Sequence, residues 1–426
     1  MKDETGSLSA AFTRRDVLRT ASLASLATAF PGGLFAAGAS EKVRVGVIGC
    51  GGRGTGAAID CLTADPAVEI VALGDLVQDR VDSSLKRLTE RFPGRVNVPV
   101  TRRFTGFDNL LGGCSCPEVN LIVTAAPPGF RPIHLKAAIE AGKHVFMEKP
   151  VAVDPVGVRS VITTSELAAQ KGLAIVAGTQ RRHQQLYLEM MKRVQDGQIG
   201  EIVGAQCYWN QGDLWVKQRE PNMTEIEWQC RNWLYFTWTS GDHIVEQHVH
   251  NLDVVHWALG TMPKNVVGMG GRQVRVAPEY GNIFDHFAVE YEYPNGVRVM
   301  SMCRQTKGAA DRVEERIVGT KGVAHSRGEI VGEKPWKFEV KEQNPYVLEH
   351  VDLIASIRKG KPLNEGRQVA LSTMMAIVGR MSAYTGRMMS WDWAMNSSTL
   401  DLTPPKYAFG PNPVDPPAIP GTTPLV

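Results

Sequence analysis

Val43-Arg44-Val45-Gly46-Val47-Ile48 runs straight into Gly49-Cys50-Gly51-Gly52-Arg53-Gly54, an apolar stretch that ends in a glycine-rich turn. The first six residues read as a buried strand, and Gly49, Gly51 and Gly54 match G-x-G-x-x-G, with Gly52 and Arg53 inside the turn. Each glycine has a task. Gly49 makes the tight strand-to-helix turn, Gly51 lets a pyrophosphate approach the backbone, and Gly54 lets helix and strand pack closely. A helix over about 55–62 would then hold phosphate at its N-terminus. A second apolar strand, 68–74, ends in Asp75, 26 residues after Gly49, where a carboxylate would bind the adenosine ribose hydroxyls. An acid there favours NAD, and Arg80 keeps NADP open.

Working outward, apolar strands at 119–124, 144–147 and 173–177 alternate with helical stretches such as 132–141. That alternation predicts an α/β fold whose N-terminal half, 42–180, is a doubly wound parallel Rossmann sheet. From about 181 the pattern changes. Ala288-Val289-Glu290-Tyr291-Glu292-Tyr293 alternates, turns at Pro294-Asn295-Gly296 and alternates again through Met302, which is a hairpin signal. A second hairpin at 316–325 makes 181–390 a substrate and oligomerisation domain of α+β type with an open, mostly antiparallel sheet. Eight prolines in 404–426 mark 391–426 as an extended tail.

The 426 residues carry a formal charge of +3, which offers no broad basic surface for nucleic acid. Seven scattered cysteines, without a CxxC pair, suggest a reducing compartment. The N-terminus points elsewhere. Arg14-Arg15 precedes an apolar run over 21–30 and an A-x-A site at Ala37 and Ala39, so residues 1–39 resemble a twin-arginine export signal. The expectation is an exported, periplasmic protein that folds in the cytosol, loads its cofactor there and engages the Tat machinery.

Thr124-Ala125-Ala126-Pro127, His134 and Met147-Glu148-Lys149-Pro150, together with the 240–253 segment, resemble the glucose-fructose oxidoreductase, inositol dehydrogenase and MocA family (Gfo/Idh/MocA). The resemblance implies a dinucleotide site using Thr124, Pro127, His134, Glu148 and Lys149 besides the glycines, Arg53 and Asp75. It also implies Lys149 and His250 as catalytic residues, with Glu246 in a position that usually carries Asp. Read as one helix, 243–253 puts Glu246 and His250 at i and i+4 on one face, with Asp253 three residues further on. An imidazole so held by a carboxylate suits the base that removes a hydroxyl proton, and Lys149 suits the group that stabilises the resulting oxygen charge.

His243, His248, His250 and His256 fall within 14 residues, yet no HExxH motif or cysteine set completes a metal site, so none is expected. Trp209, Arg231, Asn232 and Trp233 lie in aromatic stretches suited to a sugar ring, though core packing or a subunit interface uses tryptophan equally well. Arg182 and His183 follow the sixth strand and join the substrate expectation with Asp253. The chain thus reads as an oxidoreductase with a tightly held NAD or NADP, acting on a sugar, polyol or related carbohydrate and forming a homo-oligomer. A redox-neutral glycosidase or lyase working through a transient keto-sugar is the alternative, and a non-catalytic sugar-binding protein is a third reading.

Overall fold

A computed structural model describes residues 42–426, and the export-signal expectation for 1–39 lies outside the described residues. Six strands form the first sheet: β1 (Val43–Ile48), β2 (Val68–Gly74), β3 (Arg103–Phe104), β4 (Leu121–Thr124), β5 (His144–Met147) and β6 (Ile175–Ala177). Their order is β3-β2-β1-β4-β5-β6, and every pairing is parallel. Such a sheet is covered by helices on both faces, which is why its central strands are nearly continuous apolar runs. Val45, Val47, Leu121 and Val123 pack to one face with Ile59 and Leu62 of the helix Gly52–Ala64. Ile48, Ile122 and Val145 pack to the other with Leu135 and Val158.

The chain returns to this sheet late. Leu353 and Ile354, from the helix Pro345–Arg358, join the core of Val45 and Ile59, so a segment far downstream completes the nucleotide-binding layer. The helical spacing of apolar residues in this segment carries no information on which sheet it covers.

Nine strands make the second sheet: β7 (Ile202–Gln211), β8 (Asn265–Gly271), β9 (His286–Glu292), β10 (Arg298–Gln305), β11 (Arg312–Gly319), β12 (Gly322–His325), β13 (Glu329–Gly332), β14 (Trp336–Lys337) and β15 (Met389–Ser390). They run in the order β14-β13-β12-β11-β7-β10-β9-β8-β15, antiparallel except where β7 lies parallel to β10. The β9–β10 hairpin turns at Asn295-Gly296, with Gly296 at φ +81°. One face packs on the helices Val249–Leu259 and Gly366–Thr385. The other leaves Val267, Met269 and Met302 exposed, apolar side chains on β8 and β10 either side of β9.

Both halves meet at the carboxyl ends of β5 and β6. There the loop after β5 brings Lys149 against the segment that carries Glu246, and Arg181 after β6 reaches Glu315 of β11.

Candidate active site

Gly49 sits at φ +90°, and a Cβ on it would lie 2.5 Å from the Ala126 nitrogen, so the turn after β1 admits only glycine. A Cβ on Gly54 would lie 1.7 Å from the Gly49 carbonyl oxygen, which is the close helix–strand contact that the third glycine allows. Gly51 and Gly52 differ: nothing lies within 4 Å of a Cβ on either. They border a cavity of about 660 Å³ that runs from the glycine turn past Asp75, Arg80 and Arg87 to Trp215, Lys217 and Trp233. No described side chain caps the 13-residue helix that starts at Gly52. Its leading amides therefore lack side-chain acceptors and, with the dipole, suit a diphosphate. Asp75 closes the cavity at the end of β2, accepting the amides of Cys50 (2.7 Å) and Val77 (3.2 Å). The residues present fit a dinucleotide, with Asp75 at its ribose end.

The other expected cofactor residues divide. Pro127 and His134 border the cavity. Thr124 is fully buried, its hydroxyl 3.0 Å from His134 Nδ1, and it braces the wall from behind. Glu148 pairs with Arg53, whose guanidinium also reaches Asp60 and Glu349 and covers the Tyr346 ring at 4.8 Å. Thr124 and Glu148 are thus absent from the cavity surface that would touch a cofactor.

Lys149 projects from the end of β5 into a small cluster beyond this cavity. Its ammonium donates to Glu246 Oε1 at 3.1 Å and to the Glu246 carbonyl at 2.6 Å. The expected single helix across Glu246 and His250 is broken. A short helix, His243–Glu246, is capped by Asp242, whose side chain accepts the His243 amide, and a second helix starts at Val249. The break at Gln247-His248 turns Glu246 toward Lys149, and no hydrogen bond joins it to His250 among the described residues. Asp253 is likewise held elsewhere. His250 instead lies against Trp209, ring centroids 5.7 Å apart and planes 20° from parallel. Burial, followed by the charges of Lys149, Arg181 and Arg53, pushes its pKa well below the usual histidine value. The imidazole is therefore neutral and able to accept a proton, and this state is set by burial and cations where the sequence had suggested a carboxylate. Lys149 and Glu246 side chains each keep 12% exposure, which leaves a small opening at the pair.

Of the remaining substrate candidates, Trp209 alone stands beside His250. Arg182 makes a two-pronged contact with Asp253 (2.8 and 2.9 Å), and Asp253 also accepts the Ser372 hydroxyl at 2.7 Å. His183 is pinned between Asp352 (2.6 Å) and Glu365 (3.2 Å). These carboxylates raise its pKa to about 10 against the effect of burial. All three side chains are buried and already paired, His183 with a carboxylate that is itself half exposed. Arg231 bonds Asp79 and Glu227, Asn232 is fully buried between the Lys217 amide and the Glu279 carbonyl, and Trp233 borders the nucleotide cavity. None of these three stands at the Lys149 cluster.

Arg181, between Gln180 and Arg182 in sequence, is the residue that sequence reasoning passed over. It pairs with buried Glu315, which also accepts the Tyr187 hydroxyl and an Asn251 amide proton, and it lies 6.0 Å from the Trp209 ring centroid. Adjacent arginines offer no sequence signal for which one turns inward; the 3-10 turn over Gln180–Arg182 decides it. The four clustered histidines also scatter. His243 contacts Asp242, His248 contacts Ser301, and His256 contacts Ser372, each within 3.0 Å.

Residues 43–193 match the oxidoreductase family model with an NAD-binding Rossmann fold, and residues 187–325 match the GFO/IDH/MocA C-terminal domain. The chain belongs to the Gfo/Idh/MocA family. Among curated members, it is 31% identical over 209 residues to a glycosyl hydrolase family 109 protein of Solibacter usitatus, covering 46% of each chain. It is 25% identical over 233 residues to an inositol 2-dehydrogenase of Acidothermus cellulolyticus, covering 55% of this chain and 58% of the relative. The chain spans roughly half the length of these curated relatives. A solved member, scyllo-inositol dehydrogenase from Lactobacillus casei with bound NAD(H) and scyllo-inositol, superposes with a TM-score of 0.63 at 19% identity, over 82% of this chain and 99% of that one. That likeness gives the shared fold of the family.

Proposed function

We propose that the protein is an NAD-dependent oxidoreductase acting on a secondary alcohol of a sugar or polyol. The observation that carries this is Lys149, held by Glu246 after β5, with His250 stacked on Trp209 and within reach of the Lys149 charge, which together with burial lowers its pKa. When bound, NAD supplies the hydride acceptor. Lys149, held by Glu246, donates a hydrogen bond to the substrate oxygen and stabilises the charge that develops as the hydroxyl proton leaves. His250 receives that proton at a ring nitrogen. Trp209 fixes the imidazole plane and offers an apolar face next to it for the ring of the substrate. The family relatives described as inositol dehydrogenases support a polyol or sugar as the substrate class.

The same residues serve a redox-neutral reaction, and the glycosyl hydrolase family 109 relative favours it as the second reading. There the carbonyl formed by oxidation acidifies the neighbouring C–H, a base takes that proton as the leaving group departs, water adds to the resulting double bond, and the hydride is returned to the carbonyl. Both readings include a cofactor that stays bound between half-reactions. Trp215, Lys217 and Trp233, which the second domain adds to the nucleotide cavity, support such retention. Export through the twin-arginine route is part of the proposal on the strength of Arg14-Arg15 and the apolar run behind them, and it places the protein where free NAD is scarce. Exposed Val267, Met269 and Met302 on the open sheet face support assembly with further copies of the chain.

The test is to denature the purified protein and assay released NAD(H) and NADP(H), then incubate native protein with sugars and aryl glycosides without added cofactor. Released dinucleotide with paired keto-sugar and polyol products is expected. Aglycone release without net redox change would support the second reading, and protein that neither releases nor binds dinucleotide would defeat both.

A further inference from the structure

A second cavity, about 520 Å³ in volume, lies between the end of the helix Gly366–Thr385 and the proline-rich tail. It shares no lining residue with the nucleotide cavity. Leu400, Leu402, Pro416, Ala418, Ile419 and Leu425 form much of its wall, so most of its surface is apolar. Asn282, Asp415 and several threonines add polar groups, and at its base lies Arg380, which is 1% exposed. Its Nη1 donates to the Gly241 carbonyl at 2.9 Å, and its guanidinium lies 5.8 Å from the Tyr384 ring centroid. Among the described residues no carboxylate comes within 4 Å of it, although Asp415 also borders the cavity. Asp242 and Asp154 act on it only from further away, and both are already engaged. Asp242 Oδ2 accepts the Phe284 amide and the Tyr384 hydroxyl, and Asp154 accepts the amides of Gly157 and Leu402.

Burying a cation against a single neutral acceptor is costly, and chains normally supply a counter-ion. Beside the active site Arg181 pairs with Glu315 and Arg182 with Asp253, and Arg131 is met by two carbonyls, whereas Arg380 has one carbonyl and an open cavity beside it. Burial lowers the Arg380 pKa, and Tyr384, Asp242 and Asp154 offset the loss only in part. We propose that this cavity binds an amphipathic monocarboxylate, its head on Arg380 and its hydrocarbon body along the tail. One guanidinium matches one carboxylate, which it can grip with two parallel hydrogen bonds, whereas a phosphate dianion would remain half neutralised. The volume is that of pockets for small organic ligands, and the apolar wall fits an alkyl or aryl body. Arg380 also holds the carbonyl before Asp242, which caps the short helix ending in Glu246, so the ligand would sit one residue contact from the segment bearing the active-site carboxylate.

Decanoate and decan-1-ol are the probes, titrated calorimetrically into the full-length protein. Saturable binding of decanoate with one site per chain is expected, at least tenfold tighter than decan-1-ol. Arg380→Met should weaken decanoate at least tenfold, and Ala418→Trp, which fills the cavity while keeping Arg380, should abolish binding. Circular dichroism checks the fold of each variant, and if Arg380→Met does not fold, the alcohol comparison and Ala418→Trp decide. Equal affinity for acid and alcohol, binding that survives Ala418→Trp, or no saturable decanoate heat would each overturn the proposal.

Discussion

Glu246 gives its carboxylate to Lys149, 3.1 Å from the ammonium, and leaves His250 to the face of Trp209. The two groups that would handle the substrate oxygen are therefore positioned by different parts of the molecule. Glu246→Ala should loosen Lys149 without altering the proton affinity of His250 through a hydrogen bond. A fall in kcat of roughly tenfold to a hundredfold is expected, smaller than the loss of the base itself. The acid limb of the pH–rate profile should stay where it is, as steady-state kinetics across pH would show. A large displacement of that limb would mean that the carboxylate does act on the histidine.

His250→Asn should cost about 10²–10⁴ in kcat while dinucleotide binding, followed by fluorescence titration, stays within a factor of two. In the unmutated protein the base is active when neutral, and its pKa is well below the ordinary value. Activity should accordingly persist as the pH falls through 6.5 and be lost only further into acid. An acid limb centred near 6.5 would contradict the buried, cation-flanked setting.

Arg182→Ala separates a structural pair from a substrate contact. It leaves Asp253 buried with Ser372 as its remaining close partner, and breaking such a pair costs about 3–5 kcal/mol. Denaturant unfolding should report that loss, while KM of the folded fraction stays near its original value. A KM effect without a stability effect would restore Arg182 to the substrate.

His183 makes a signed prediction about pH. Its folded pKa is raised to about 10 from an ordinary 6.5, so its two carboxylate contacts stabilise the fold fully below about pH 6.5. That contribution declines as pH rises toward 10, because the unfolded chain loses its proton first. The Tm difference between the parent and His183→Gln should shrink over this interval. A difference that grows with pH would show the histidine to be neutral in the fold.

How much of this was legible in sequence depends on the range of the interaction. Gly49 and Gly54 announce their roles because a strand, a turn and a helix start within a dozen residues impose them locally, and Asp75 because the next apolar strand ends directly before it. The alternation around Asn295-Gly296 likewise yields its hairpin directly. Arg181 and Arg182 are neighbours with the same chemistry, and only Glu315 and Asp253, more than seventy residues downstream, decide which one lies beneath Trp209. Glu246 and His250 misled because helical spacing was read through Gln247-His248, where the backbone breaks. Trp233 and Arg231 have the composition of a sugar site but fold against the nucleotide cavity. A contact made across domains leaves no periodic trace.

Gly51 and Gly54 stand three residues apart in the same turn, and substitution should separate their roles. A Cβ on Gly54 would fall 1.7 Å from the Gly49 carbonyl oxygen, closer than any non-bonded pair tolerates, and both atoms belong to rigid backbone. Gly54→Ala must therefore push the helix off β1, with a lowered Tm and loss of dinucleotide binding together. Gly51 has φ −69° and ψ −172°, values that alanine adopts freely, and open space where the methyl would go. Gly51→Ala should leave Tm within a degree or two, yet place a methyl where a diphosphate must approach the helix amides, weakening NAD at least tenfold. Thermal melts and NAD titration on the two variants check both halves. Unchanged NAD affinity in Gly51→Ala would move the diphosphate away from this turn, and with it the adenosine end now assigned to Asp75.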